Sequence, residues 1–131
     1  MKTEAVAFLL VKDGMFLAEK RRPDKEAYPG MLAVPGGRME GVEDRTETLF
    51  REMMEELKAR PIEYTYLCSL DDPEVYDGLT IHYYVIPRWE GEPEPIEAEE
   101  LEWVRFQDRE RIEVPVDRQA VELFLRGREP F

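Results

Sequence analysis

The sequence predicts one layered domain of the α+β or α/β/α type. Its 131 residues suffice for a single hydrophobic core and are too few for two ordinary domains. Short apolar runs separated by turn residues indicate strands in hairpins. Two helical patterns, one central and one terminal, supply helices to cover a sheet. We therefore expect residues 1–131 to form a single domain.

Six short apolar runs are predicted as strands. The first is expected to be buried on both faces because its residues are consecutively apolar, and Asp13-Gly14 then forms a turn. The third is expected to stop at Pro35-Gly36-Gly37. Charged or proline-broken segments at 19–30 and 90–100 are predicted as loops. The predicted strands are Ala5–Val11, Met15–Ala18, Met31–Val34, Tyr64–Leu70, Leu79–Pro87 and Leu101–Phe106.

Two helices are predicted from capping residues and apolar periodicity. Asp44 or Thr46 can cap a central helix that runs to about Lys58, since Pro61 prevents it from continuing. Arg118–Arg126 forms a terminal amphipathic helix.

The charge balance restricts the partners. Aspartate and glutamate number 30 and lysine and arginine 18, which gives a net charge of −12. Such a surface repels nucleic-acid backbones and anionic membranes, so neither is expected as a partner. A small phosphorylated substrate is compatible with it where a metal ion cancels the repulsion locally.

Compartment signals point to the cytoplasm. The apolar run at Ala5–Val11 is too short to span a bilayer, and no cleavage site typical of a signal peptide follows it. The single cysteine, Cys68, cannot form an internal disulfide and is interpreted as a small buried apolar residue.

The central helix separates apolar from acidic residues. At about 100° per residue, Glu52, Glu55 and Glu56 share one arc of about 100°. This arc is either a solvated charged face or a metal site, and like charges at this spacing oppose helix formation. The nearby Arg51 and Glu43 favour the metal site over the solvated face. Mg²⁺ or Mn²⁺ would suit such a site because both ions prefer oxygen ligands. The opposite arc of about 140° is predicted to face the core and contains Leu49, Phe50, Met53, Met54 and Leu57.

This segment resembles the Nudix box of Nudix hydrolases. The matching pattern is Gly37, five residues, Glu43, seven residues, Arg51-Glu52-Met53, one residue, and Glu55-Glu56. One position departs, because Lys58 stands where the family's pattern has a helix-capping glycine, which puts the turn geometry in question. The resemblance implies an α/β/α sandwich with a mixed sheet between the helices.

Outside the box, the sequence is similar to nucleoside triphosphate pyrophosphohydrolases of the MutT type. The similarity includes Pro35-Gly36-Gly37, the segment Arg88–Pro93, Glu97 and Glu102-Trp103. It implies hydrolysis of a nucleoside triphosphate to a monophosphate and pyrophosphate. Hydrolysis of ADP-ribose or a dinucleoside polyphosphate is the alternative, and a nucleotide sensor without turnover is a third hypothesis. The expected partner is a nucleotide, and the chain is expected to be a monomer or homodimer.

The resemblance also assigns roles to residues of the box. Glu52, Glu55, Glu56 and the carbonyl of Gly36 would bind Mg²⁺, with Mn²⁺ possible in its place. Glu43 and Arg51 would belong to the catalytic residues as an internal pair that orients the loop and the helix.

Further roles fall outside the helix. Glu52 or Glu97 would accept a proton from the attacking water, with Glu94, Glu99 and Glu100 as alternatives to Glu97. Substrate contacts would come from Arg21 or Arg22 at the phosphates, from the Gly37 backbone, and from Asp117. Since Asp117 replaces the family's base-reading asparagine, it would read a different base edge or none.

Overall fold

The computed structural model describes residues 3–75 and 78–127. Seven strands, two α-helices and one 3₁₀ helix account for most of them. In chain order these are β1 (Thr3–Lys12), β2 (Met15–Lys20), β3 (Leu32–Ala33), β4 (Gly36–Arg38), α1 (Arg45–Leu57), β5 (Arg60–Asp72), β6 (Leu79–Glu90), β7 (Glu100–Arg105), the 3₁₀ helix (Phe106–Arg111) and α2 (Pro115–Arg126).

The strands form one mixed sheet. Its main order is β3-β2-β1-β6-β5, while β4 pairs with β1 and β7 pairs with β2. β1 and β6 run parallel, with Phe8 opposite Tyr84, and the other pairs are antiparallel. β1 therefore lies at the centre and carries the neighbours that build the site.

Each face of the sheet is covered by one helix, which confirms the α/β/α sandwich. Side chains of β1 alternate between the faces because successive residues of a strand point to opposite sides. Phe8 packs into the core beneath α1 and Leu9 into the core beneath α2, both fully buried. We call these the α1-side core (with Leu17, Leu49, Met53 and Leu57) and the α2-side core (with Phe16, Tyr83, Val121 and Phe124).

Helix α1 begins at Asp44, and Thr46 is not its cap. The Asp44 carboxylate accepts from the Glu47 backbone N–H at 2.8 Å, and the Glu47 carboxylate accepts from the Asp44 N–H at 3.0 Å. This reciprocal pair is a capping box, which satisfies two helix-end donors at once.

The buried face of α1 lies nearer to the glutamates than the sequence indicates. Met54 is 48% exposed and Phe50 only partly buried, so the prediction that both face the core is wrong. Glu52 and Glu56 are buried beside the apolar stripe, which places two of the three acidic side chains at the edge of the core. The cause is that α1 packs on β4 as well as on β1.

Other boundaries differ from the predictions for identifiable reasons. α2 begins at Pro115 rather than Arg118, because proline is favoured in the first turn of a helix, and it follows a 3₁₀ helix that the sequence did not predict. The segment expected to end a strand, Gly36–Arg38, is itself a strand paired with β1. No helix within the described ranges is long and apolar enough to cross a membrane.

Candidate functional site

A cavity of about 370 Å³ opens between β1, β2, β4 and α1. We call it the site cavity. Of the residues that the sequence assigns to the site, all but Glu43 line it. These lining residues are Arg21, Arg22, Gly36, Gly37, Arg51, Glu52, Glu55, Glu56, Glu97 and Asp117.

Arg51 joins the loop before α1 to the acidic face of the helix. Its Nε and Nη2 donate to the two carboxylate oxygens of Glu43 at 2.5 and 2.9 Å. Nη1 donates to Glu52 at 2.8 Å and to Glu55 at 2.9 Å, and Nη2 also reaches the carbonyl of Arg38 at 2.9 Å. One guanidinium therefore holds three carboxylates and the end of β4 in a fixed arrangement.

Glu43 is held as an anion although it lies outside the cavity. Hydrogen bonds from Arg51, then from the Glu40 N–H, lower the pKa of its carboxyl group to about 2. The Thr48 hydroxyl donates to it as well, at 2.9 Å. Glu43 therefore anchors the guanidinium rather than facing a ligand.

Glu52 lies directly on the backbone of Gly37. A Cβ atom built on Gly37 would come within 1.9 Å of Glu52 Oε2, so no side chain fits there. Burial raises the pKa of Glu52, while Arg51 opposes that shift. The absence of a side chain at Gly37 thus lets a carboxylate approach the strand that enters the site.

The carboxyl groups of Glu56 and Glu97 are close enough to form a hydrogen bond when one of them is protonated. Burial, followed by this bond and the charges of Glu19 and Glu97, raises the pKa of Glu56. We call Glu52, Glu56 and Glu97 the carboxylate cluster. Two adjacent carboxylates repel each other, which favours the protonated form of one of them.

The loop that carries Glu97 is fixed to the end of α1. The N–H of Glu94 donates to the Leu57 carbonyl at 2.9 Å, and the N–H of Ile96 donates to the Glu56 carbonyl at 3.3 Å. These bonds satisfy carbonyls that a helix end leaves unpaired. They also bring Glu97 to the cluster; Glu94, Glu99 and Glu100 do not line the cavity.

The two arginines after β2 have different environments. Arg22 Nε donates to the backbone carbonyl of Glu97 at 2.7 Å, so Arg22 holds the Glu97 loop. Arg21 Nε donates to the carbonyl of Ala27 at 2.9 Å, within its own loop. Both side chains, together with Lys25, line the cavity and make this loop its cationic side.

Asp117 is buried at the start of α2. Tyr83 OH donates to its Oδ1 at 2.6 Å and the Val34 N–H donates to its Oδ2 at 2.9 Å. Burial raises its pKa to about 6, against the lowering effect of these bonds. Each oxygen retains a second lone pair, so Asp117 can accept further hydrogen bonds from the cavity.

Sequence reasoning did not find Glu19, Tyr28 or Asp72, which also line the cavity. Tyr28 OH donates to both oxygens of Asp72 at 2.9 Å, a contact across 44 residues that no local pattern reveals. Burial raises the pKa of Glu19 to about 7. The sequence contains a signal for Glu19, which lies two residues after Leu17, so a continued strand places both side chains on the same inward face.

The residues present suit a divalent cation. Glu52 and Glu56 are buried carboxylates, and such groups are costly to bury unless a positive charge accompanies them. Within 3–75 and 78–127, no three acidic, His or Cys side chains are already arranged around one point as a metal cage. Arg51 donates to Glu52 and Glu55, two of the side chains that would hold a cation.

The comparison with family models agrees with this geometry. The model of the NUDIX domain matches residues 1–124. The chain belongs to the NUDIX domain family. As in the family's pattern, the loop–helix segment from Gly37 to Glu56 borders the cavity of this NUDIX protein.

Known relatives of this NUDIX protein include MutT-like proteins. The 8-oxo-dGTP diphosphatase of Escherichia coli is 30% identical over 84 residues, covering 64% of this chain and 65% of that enzyme. A MutT NUDIX hydrolase from Burkholderia pseudomallei has 26% identity and a TM-score of 0.85, covering 94% of this chain and 98% of the other.

A more distant structure shares the fold. The NUDIX domain of NrtR from Shewanella oneidensis, solved in complex with ADP ribose, has a TM-score of 0.75 at 15% identity and covers 97% of this chain and 87% of its own. At that identity the likeness concerns the fold alone, which serves more than one kind of ligand.

Proposed function

We propose that this NUDIX protein is a divalent-metal-dependent pyrophosphohydrolase that cuts a nucleoside triphosphate to a monophosphate and pyrophosphate. Its relationship to MutT-like hydrolases supports the reaction class. The proposed cofactor is Mg²⁺, with Mn²⁺ as a substitute, and the proposed setting is the cytoplasm.

The observation that carries the proposal is the division of the site cavity into three chemical regions. The carboxylate cluster forms one side and the loop with Arg21 and Lys25 another. The remaining wall is apolar and built mainly from small side chains, among them Ala5, Ala33 and Val34. A nucleotide offers matching parts, since its phosphates suit the cations and its flat base suits the apolar wall.

The proposed reaction assigns a task to each region. Glu52, Glu55 and Glu56, with the Gly36 carbonyl, would hold the metal ion, which would neutralise charge and activate water. Arg21 and Lys25 orient the anionic chain, and the Gly37 backbone leaves room for it. Glu97 accepts the proton of the attacking water, because Glu52 already accepts a hydrogen bond from Arg51.

The second candidate is cleavage of a nucleoside diphosphate joined to another group, such as ADP-ribose or a dinucleoside polyphosphate. The same fold occurs in a domain solved with ADP ribose, so the fold alone is compatible with this substrate class. A sensor that binds without turnover is the third hypothesis.

All three hypotheses are separated by incubating the protein with Mg²⁺ and nucleoside triphosphates, ADP-ribose and dinucleoside polyphosphates. Pyrophosphate from triphosphates supports the first, two monophosphates from ADP-ribose the second, and binding without products the third.

The metal-binding role of α1 is tested with Glu56→Gln. We expect kcat/KM to fall by about 100-fold or more, because a cation that contributes several kcal/mol to the transition state is bound less well. The far-ultraviolet circular dichroism spectrum should be unchanged, since the neutral amide resembles the protonated carboxyl group.

The matched control is Glu47→Gln, which makes the same charge change on the same helix. Glutamine preserves the capping box, so this variant should retain wild-type kcat/KM. A Glu56→Gln enzyme with near-wild-type turnover would contradict the assignment of Glu56.

A further inference from the structure

Glu19 is the last acidic residue of β2 before the cationic loop, and the proposed function does not use it. Along a strand, residues two apart point to the same face, so Glu19 shares its face with Leu17 of the α1-side core. Its partner on β7 is Leu101, which packs against the same core. Glu19 therefore points toward α1, on the side that carries the carboxylate cluster.

The carboxyl group of Glu19 is incompletely satisfied. Its side chain is 6% exposed, and it lines the site cavity. Oε2 lies 3.9 Å from Arg21 Nη1, whereas Oε1 is buried without a hydrogen-bond partner in the part of the chain that the structure describes. A buried carboxylate oxygen without a partner destabilises the fold unless a hydrogen-bond donor or a cation contacts it.

The surroundings favour a cation over an anionic substrate group. The cations Arg21 and Lys25 act on Glu19 as well as the acids Asp117 and Glu97, and the charge of Glu19 acts on Glu56. A deprotonated phosphate oxygen has no hydrogen to donate to the unpaired Oε1 and would be repelled by these acids. A divalent cation would instead relieve their mutual repulsion and supply the missing partner of Oε1.

We propose that Glu19 is a further ligand of the divalent cation, contributed by the sheet to a site otherwise built from α1 and its flanking loops. This inference rests on the proposed metal dependence. Glu19 of β2 would then hold the cation together with the glutamates of α1 that line the same cavity.

The test measures binding of Mn²⁺ alone, by electron paramagnetic resonance and titration calorimetry, without substrate. Glu19→Gln is compared with the wild-type protein and with Glu100→Gln. Glu100 is exposed on β7 opposite Lys20, and its substitution makes the same charge change away from the cavity. We expect the Kd for Mn²⁺ to rise by about 10-fold or more in Glu19→Gln, as for loss of a supporting metal contact, and to stay at the wild-type value in Glu100→Gln.

Each outcome decides a different point. Wild-type affinity in Glu19→Gln overturns the assignment of Glu19, whereas absence of Mn²⁺ binding to the wild-type protein overturns the proposed function itself. An equal loss in Glu100→Gln also overturns the assignment, because it would show an effect of net charge alone.

If Glu19→Gln does not fold, Glu19→Asp decides the question, since it keeps the negative charge but moves the carboxylate oxygens away from the cation. An affinity within 3-fold of wild type would then count against a direct ligand, as it falls below the roughly 10-fold expected for a lost contact.

Discussion

The ion pair between Glu43 and Arg51 makes stability depend on pH. The folded-state pKa of Glu43, about 2, lies below its ordinary value of 4.5. A carboxyl group with a lowered pKa stabilises the fold above its unfolded pKa, and this contribution disappears as the pH falls through the folded value. Glu43→Gln should therefore lower the unfolding midpoint at pH 7, and the difference from wild type should shrink between about pH 4.5 and 2.

Urea unfolding followed over this pH range measures the effect. Glu92→Gln, the same change in an exposed loop, serves as the control and should unfold like the wild-type protein throughout. A deficit in Glu43→Gln that does not change with pH would contradict the role of the Glu43 charge.

At the scale of single residues, the sequence identifies the site residues that lie on one contiguous segment. Glu52 and Glu56 follow from the spacing of the box, because a helix converts that spacing into proximity. Tyr28 and Asp72 meet through folding of distant strands, so their contact has no local signal. Glu19 escapes prediction because a charged residue after a strand is typical of the beginning of a loop.

The end of helix α1 retains the backbone that the family's glycine would favour. Lys58 has φ 56° and ψ 38°, a left-handed conformation, and its N–H donates to the Met54 carbonyl at 3.0 Å. A side chain in this region costs about 1 kcal/mol compared with glycine. The departure from the box pattern therefore changes the energy of the turn and leaves its geometry intact.

Lys58→Gly should therefore stabilise the protein. We expect a gain of about 1 kcal/mol, or about 3–6 °C in Tm, measured by calorimetry. Lys58→Ala is the matched control, because it removes the same charge but keeps the Cβ that causes the strain. The explanation would fail if both variants melted together above the wild-type protein.

At the scale of elements, the sequence predicts both helices and all strands except β4, and it misplaces several of their ends. A strand as short as Gly36–Arg38 is recognisable only from its pairing with β1. The positions of the apolar residues alone do not show which face of α1 is buried. Its buried arc includes Glu52 and Glu56, because α1 packs on β4 as well as on β1.

For the molecule as a whole, one sheet supports two cores. Because β1 contributes alternate residues to both, neither core can persist without the other. We predict a single cooperative unfolding transition. Fluorescence of Trp89 and Trp103, which pack against the α1-side core, should give the same midpoint as far-ultraviolet circular dichroism of the whole chain. Two separate midpoints would show that the chain comprises two independently folding units.

The carboxylate of Asp117 connects the start of α2, the segment before β4 and the middle of β6 through its bonds with Val34 and Tyr83. The resemblance to MutT-type enzymes places this same group at the position that contacts the nucleobase. A substitution of Asp117 that changes the base preference would therefore also remove these hydrogen bonds and destabilise the tertiary structure. Leu79 borders the same cavity with an aliphatic side chain that is only partly buried, and it offers a less constrained position at which selection or engineering can diversify the substrate range.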